Sequence, residues 1–323
     1  MTQALLEVEN LRTHFMTRAG VVKAVEGATF ALGRGEILGL VGESGSGKTV
    51  TGFSLIGLVD PPGRIAGGSI RFDGQELVGL PPAAMRRIRG KRIAMVFQDP
   101  AATLNPVMTI GTQMALAVQA HGGGSERAAR DLASRTLTRV GIPDAAARLD
   151  AYPHEFSGGM RQRVAIATAL LHGPELIIAD EPTTALDVSI QAQILAEMKQ
   201  LARQSGTALI WISHDLATVS SLADRVLVMY AGRIVESGPV TAVLRTPLHP
   251  YTRGLLDSLP AMAKPGAKLN QIPGSTPSLL SLPPGCPFAP RCPRATDICR
   301  TDPPVVTQPG RLALCHHPLG DAA

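Results

Sequence analysis

Two devices for binding phosphate stand in this chain. The first is Gly42-Glu43-Ser44-Gly45-Ser46-Gly47-Lys48-Thr49, with the spacing G-x-x-x-x-G-K-S/T. Glycines let backbone N–H groups converge on a β-phosphate without Cβ clashes. Lys48 would then supply a point charge to the β- and γ-phosphates, the Thr49 hydroxyl would ligate Mg2+, and the following helix would add its positive end. The second device is Ser157-Gly158-Gly159, which opens a strongly helical stretch with small residues and a hydroxyl. One nucleotide cannot easily use both from one subunit, so the economical arrangement is two subunits face to face, each completing the other's site. Between the two carboxylates that end Leu176-Ile177-Ile178-Ala179-Asp180-Glu181, the division of labour follows from position. Asp180 suits a direct or outer-sphere Mg2+ role, and Glu181 suits a general base on the attacking water.

These residues need a scaffold, and the apolar runs supply one. Ile37 to Val41, Leu176 to Ala179 and Ala208 to Ile212 are continuous apolar segments separated by helical stretches. That pattern predicts a parallel sheet covered on both faces, with ligands at the strands' C-terminal ends. Residues 5–40 alternate apolar and polar and read as short strands. Met108 to Ala147 has helical spacing, interrupted by Gly122-Gly123-Gly124. Residues 260–310 are dense in Pro and Gly and predict an extended, loop-rich appendage. No solenoid-length repeat occurs.

Composition excludes several classes. The 323 residues suffice for one large domain or two modest ones. Lys and Arg total 31 against 26 Asp and Glu, and a net +5 does not by itself indicate nucleic acid. Aromatics at 3% are too few for a base-stacking platform. No stretch approaches the ~18–20 apolar residues of a spanning helix. Residues 1–10 lack a basic stretch leading into an apolar core, so a secretory signal is not expected. The basic run Arg86 to Arg92 reads as a solvated face, or one favoured by an anionic membrane surface.

Taken in order, Gly42 to Thr49, Gln98, Phe156 to Met160, Ile177 to Glu181, Ala185-Leu186-Asp187 and His214 resemble the motifs of an ABC transporter's nucleotide-binding subunit. The similarity is nearest to the oligopeptide/dipeptide importer branch and covers almost the whole chain. It implies an α/β fold: a P-loop NTPase ABC ATPase domain over 1–245, with a RecA-like parallel core, an antiparallel β subdomain and a helical subdomain at about 100–165. A loop-rich C-terminal extension with four cysteines would follow over 246–323. The resemblance further implies that Gln98 senses the γ-phosphate, joins the Mg2+ site and communicates with membrane subunits. It gives His214 a γ-phosphate contact, Asp187 a place in the D-loop, Ser157, Gly158 and Gly159 the signature contacts, and Phe15 the adenine stack. The signature departs from the general pattern, with Met160 where Gln is usual.

The implied activity is ATP hydrolysis that powers an importer of di- or oligopeptides. The alternatives are an importer ATPase for nickel or another small solute, and a soluble ABC ATPase outside transport. Implied partners are a second ATPase subunit, a heterodimer being favoured over a homodimer, two integral membrane permeases, and through them an extracellular solute-binding protein. No nucleic-acid partner is implied. The expected location is the cytoplasmic side of the inner membrane, as a peripheral subunit. Pro247-Leu248-His249-Pro250-Tyr251-Thr252 resembles the branch's HPYT element, and also reads as a plain helix start.

All the cysteines lie at the end of the chain, as Cys286, Cys292, Cys299 and Cys315. Four thiols gathered in 30 residues of a chain expected to be cytosolic call for a metal before a disulfide. No paired C-x-x-C knuckle of the zinc type occurs. Spaced, proline-flanked thiols on an irregular loop can wrap a 4Fe-4S cluster, and the resemblance implies one, since some members of this branch carry it in a similar tail; zinc or free thiols are the alternatives. His316 and His317 read as incidental neighbours.

Overall fold

The computed structural model describes residues 4–122, 124–183, 188–259 and 270–320, the side chains of Ala101 and Ala102 excepted. In chain order the strands are β1 (Leu6–Thr17), β2 (Gly20–Leu32), β3 (Ile37–Val41), β4 (Gly63–Phe72), β5 (Gln75–Glu76), β6 (Ile93–Val96), β7 (Leu176–Asp180), β8 (Ala208–Ser213), β9 (Arg225–Tyr230), β10 (Arg233–Pro239), β11 (Val305–Gln308) and β12 (Arg311–Leu314). The helices are α1 (Lys48–Leu55), α2 (Pro82–Ile88), α3 (Pro100–Thr103), α4 (Ile110–Gln119), α5 (Glu126–Arg139), α6 (Ala145–Arg148), α7 (Gly158–Leu170), α8 (Val188–Ser205), α9 (Leu216–Leu222), α10 (Val240–Arg245) and α11 (Pro250–Asp257). They form two compact units, one of Met1–Gly33, Ile37–Val78 and Trp211–Ala323, the other of Arg34–Glu36 and Gly79–Ile210.

The first unit holds an antiparallel sheet, β2-β1-β4-β5. Its register sets Leu6 opposite Leu32 and Phe72, and Val8 opposite Phe30 and Ile70. Period-two alternation puts those apolar side chains on one buried face. These strands are long rather than short, at 12 and 13 residues for β1 and β2. The unit's second sheet runs β11-β12-β10-β9-β3 and continues to the Trp211–Ser213 half of β8. β3 is parallel to β9, and every residue of β3 is buried. The loop-rich reading of residues 260–310 misses β11, which begins inside that range, and its partner β12. The β11–β12 hairpin joins β10 through Glu236 opposite Ala313. Strands of only four residues, of which β11 is mostly exposed at the sheet edge, are too short to show a hydrophobic period.

The second unit carries β7 beside β6, parallel, with Val96 opposite Ala179, and then the Ala208–Ile210 half of β8. Helices α4 and α5 start on hydroxyls: Thr109 accepts from Thr112 N–H and Ser125 from Ala128 N–H. The expected helical stretch is therefore three helices, α4, α5 and α6. Arg163 on α7, almost wholly buried, ties the end of α5 to α8. Its guanidinium donates to the Val140 carbonyl (2.8 Å), the Gly141 carbonyl (3.2 Å) and Gln193 Oε1 (2.6 Å). Among the described residues no helix is long and apolar enough to cross a membrane.

Candidate nucleotide site and cysteine extension

In the first unit β3 runs straight into the Gly-rich loop, and α1 begins at Lys48 behind Gly47. Two glycines there are dictated by space. A Cβ on Gly42 would stand 2.1 Å from the Met229 carbonyl oxygen, and one on Gly47 2.2 Å from that of Ala24. Both also have positive φ, at 155° and 104°. The buried Lys48 ammonium donates to the loop's own carbonyls, Gly42 at 2.8 Å and Glu43 at 3.0 Å. The loop thus curls round its lysine, the shape a phosphate-binding turn requires. Ser44 and Gly45 are exposed at its crest, and Thr49 is half-buried one residue into α1. His214 is exposed just past β8, ahead of α9, which Asp215 caps through Ala217 N–H at 2.9 Å. Phe15 sits half-buried on β1 with its ring over Gly63, where a Cβ would fall 2.6 Å from Cε1.

In the second unit β7 delivers Asp180, buried, and then Glu181, half-buried with φ 44°. Left-handed backbone at a non-glycine residue is costly and clusters at functional sites. Gln98 follows β6, the neighbour of β7, and its Nε2 donates to Glu181 Oε2 at 3.1 Å. Two residues 83 positions apart, each singled out in the sequence, thus meet at adjacent strand ends. Ser157 is the exposed N-cap of α7 and accepts from Met160 N–H at 3.3 Å. A Cβ added to Gly158 would meet nothing within 4 Å, so nothing in the described chain accounts for a glycine there. Asp187, with Ala185 and Leu186, lies outside the described residues.

The extension folds back onto the phosphate loop through residues that sequence reasoning missed. The HPYT element is indeed a helix start, with His249 capping α11 and Pro250 in its first turn. It is also more. The Tyr251 hydroxyl accepts the Glu43 N–H at 2.8 Å. Arg291 grips the Glu43 carboxylate with both prongs, at 2.6 and 3.0 Å. Glu236, fully buried on β10, accepts the N–H groups of Leu248 (2.8 Å) and His249 (2.9 Å) and pairs with Arg311 at 3.1 Å. A proline-bounded aromatic was the available signal for Tyr251; nothing local marks Arg291.

All four cysteines are free thiols, three of them buried. Cys292 Sγ accepts from Arg294 N–H (3.4 Å) and Cys315 Sγ from His317 N–H (3.3 Å). Burial pushes the Cys315 thiol up to about 11, with smaller contributions from the other three sulfurs. Yet among the described residues no three His, Cys, Asp or Glu side chains could together hold a metal ion, so neither the expected 4Fe-4S cluster nor the zinc alternative has geometric support here. His316 and His317 are engaged by threonines, Thr301 and Thr296.

Two family models match: ABC transporter over residues 25–184, and oligopeptide/dipeptide transporter, C-terminal region, over 235–299. The oligopeptide transport ATP-binding protein OppD of Salmonella typhimurium is 50% identical over 98% of this chain and 94% of its own. The dipeptide transport ATP-binding protein DppD of Escherichia coli is 46% identical over 99% and 98% respectively. Among solved structures, the ATP-binding cassette MJ0796, determined as a dimer with ADP and Pi, shares the fold at TM-score 0.66 and 24% identity, over 73% of this chain and 98% of that one.

Proposed function

This chain belongs to the ATP-binding subunits of ABC transporters of the oligopeptide/dipeptide branch, and from that membership we infer an ATPase that powers import of di- or oligopeptides. The observation that carries the catalytic reading is the Gln98–Glu181 contact. In the proposed division of labour, Lys48 and the loop N–H groups of Gly42, Ser44, Gly45 and Gly47 hold the β- and γ-phosphates. Mg2+, when bound, neutralises charge developing on the phosphate oxygens. The donors proposed for it are the Thr49 hydroxyl, the Asp180 carboxylate and the Gln98 amide, an all-oxygen set of the kind a hard cation prefers. Glu181 accepts the proton of the attacking water as its oxygen bonds the γ-phosphorus and the bond to ADP breaks. Gln98 fixes the rotamer of that carboxylate, and His214 contacts the γ-phosphate. Phe15 stacks on adenine.

Ser157, Gly158 and Gly159 are proposed to serve the nucleotide of a second ATPase subunit, with Asp187 at the junction. The exposure of Ser157 and Gly158 and the open space at Gly158 support this. A heterodimer is the favoured pairing, beneath two permeases that receive solute from a binding protein, on the cytoplasmic face of the inner membrane. For the four cysteines we keep a 4Fe-4S cluster as the reading. It rests on the all-thiol donor set, four cysteines near the end of the chain, and not on the geometry. Anaerobic purification with iron and sulfide assays tests it, and stoichiometric zinc would overturn it. Lys48→Ala should abolish nucleotide binding or turnover; unchanged ATPase would refute the phosphate-loop assignment. Peptide uptake in cells lacking this subunit separates peptide cargo from nickel or a non-transport role.

A further inference from the structure

Glu43 occupies a variable position of the phosphate-loop pattern, yet the fold holds it from several sides. Each of its polar groups has a different partner. Its N–H goes to the Tyr251 hydroxyl at 2.8 Å, and its carbonyl receives Lys48 Nζ at 3.0 Å. Its carboxylate takes Arg291 Nη1 at 2.6 Å, Nη2 at 3.0 Å and the Thr276 hydroxyl at 3.1 Å. Tyr251 and Arg291 come from different parts of the extension, 208 and 248 residues away.

Neither partner is free to wander. The Arg291 side chain is only 5% exposed; its Nε donates to the Pro273 carbonyl at 2.9 Å, and its guanidinium lies 5.8 Å from the Tyr230 ring centroid. Tyr251 is fully buried, with its ring centroid 4.5 Å from that of Tyr230 and 5.4 Å from that of Phe288. The ion pair with Glu43 holds Arg291 firmly in its charged form. A bidentate guanidinium–carboxylate contact fixes orientation as well as distance, and an arginine so buried has no comparable partner if Glu43 moves.

We propose that Tyr251 and Arg291 are positioning residues for ATP: they hold Glu43 from two sides, set the curl of the phosphate loop around Lys48, and so make nucleotide affinity depend on the C-terminal extension. The inference rests on Gly42 to Thr49 being the phosphate loop. It adds that this loop is not self-sufficient, since a part of the chain beyond the ATPase motifs completes its shape. The rival is a staple that merely fastens the extension to the ATPase, with no consequence for the loop.

The test is Mg-ATP affinity of the full-length protein, measured beside its melting temperature, for Tyr251→Phe, Arg291→Met, Glu43→Gln and the double variant Glu43→Gln with Arg291→Met. Tyr251→Phe keeps the ring and deletes only the hydroxyl, so it reports even if Arg291→Met does not fold. We expect Kd to rise about fivefold for Tyr251→Phe and about tenfold or more for Arg291→Met, with kcat at saturating ATP changed less than about threefold. In the Glu43→Gln background the effect of Arg291→Met should shrink to about twofold, because both act through one carboxylate. Melting temperatures that fall while Kd stays within about twofold for both Tyr251→Phe and Arg291→Met would leave only the staple and overturn the proposal. Lys48→Ala is the control. Wild-type affinity there would refute the phosphate-loop reading and the proposal with it, whereas lost binding there with unchanged Kd in both Tyr251→Phe and Arg291→Met would refute the proposal alone.

Discussion

Glu236→Ala is the substitution whose cost the structure allows to be worked out most fully. The carboxylate is completely buried on β10. Its oxygens accept Leu248 N–H at 2.8 Å and His249 N–H at 2.9 Å, and Arg311 Nη2 lies 3.1 Å away with its side chain 9% exposed. Alanine would orphan two buried backbone donors, at roughly 1–3 kcal/mol each. It would also strip Arg311 of its anion, and breaking a buried pair by removing one partner costs about 3–5 kcal/mol. These costs overlap, because Arg311 keeps its hydrogen bonds to the carbonyl and hydroxyl of Thr246. About 4–5 kcal/mol is therefore expected, a large share of the roughly 5–15 kcal/mol that holds a typical domain together. Glu236→Gln keeps acceptor capacity but loses the charge, and about 2 kcal/mol is expected. Urea unfolding followed by circular dichroism supplies the measurement, provided the slope m is unchanged between variants. A loss below about 1 kcal/mol in Glu236→Ala would show that water or a shifted strand replaces the carboxylate, contrary to its complete burial.

The remaining predictions concern catalysis, the glycines and acid. Glu181→Gln should lower ATP turnover about 10²–10⁴-fold while leaving Mg-ATP binding in place, and a fall within about threefold would remove Glu181 as the base. Gly42→Ala should cost about 3 kcal/mol of stability, since its methyl would meet a backbone oxygen at 2.1 Å on a positive-φ residue. Gly158→Ala should leave stability within about 0.5 kcal/mol yet impair hydrolysis in the assembled pair; full activity there would argue against a nucleotide approaching Gly158. His249 is held by burial at about 3, well below its ordinary value of 6.5. Between those two pH values the unfolded chain binds the proton and the folded chain does not, so stability falls as pH drops from 6.5 toward 3. Asn at position 249 can still cap α11 but cannot titrate. The difference in unfolding free energy between wild type and His249→Asn should therefore change steadily over that window, and parallel curves would contradict the buried, neutral imidazole.

Much of the chemistry was legible locally. Gly42, Gly47, Lys48 and Thr49 are recognisable because a phosphate-binding turn constrains consecutive residues, and its backbone leaves no room for a Cβ at two of them. The strands β3, β7 and β8 were legible for the same reason, since a strand buried on both faces must be apolar throughout. The β11–β12 hairpin was not, because strands of four residues are too short to show a periodicity. The four cysteines announced a distinct module, while the spacing that suggested a metal said nothing of the distances among the sulfurs.

What the amino-acid order determined by itself, then, is the set of local machines: the phosphate loop, the strand-borne acid pair, the capped signature helix and the cysteine-bearing tail. The tertiary structure decided which of them touch. It set Gln98 against Glu181 by making β6 and β7 neighbours, and it closed Tyr251 and Arg291 on Glu43 from more than 200 positions away. A motif constrains backbone over a few residues, and its signature stays in the sequence. A contact between distant residues depends on strand order and chain reversal, and a single glutamate, tyrosine or arginine carries no mark of the partner the fold will bring to it.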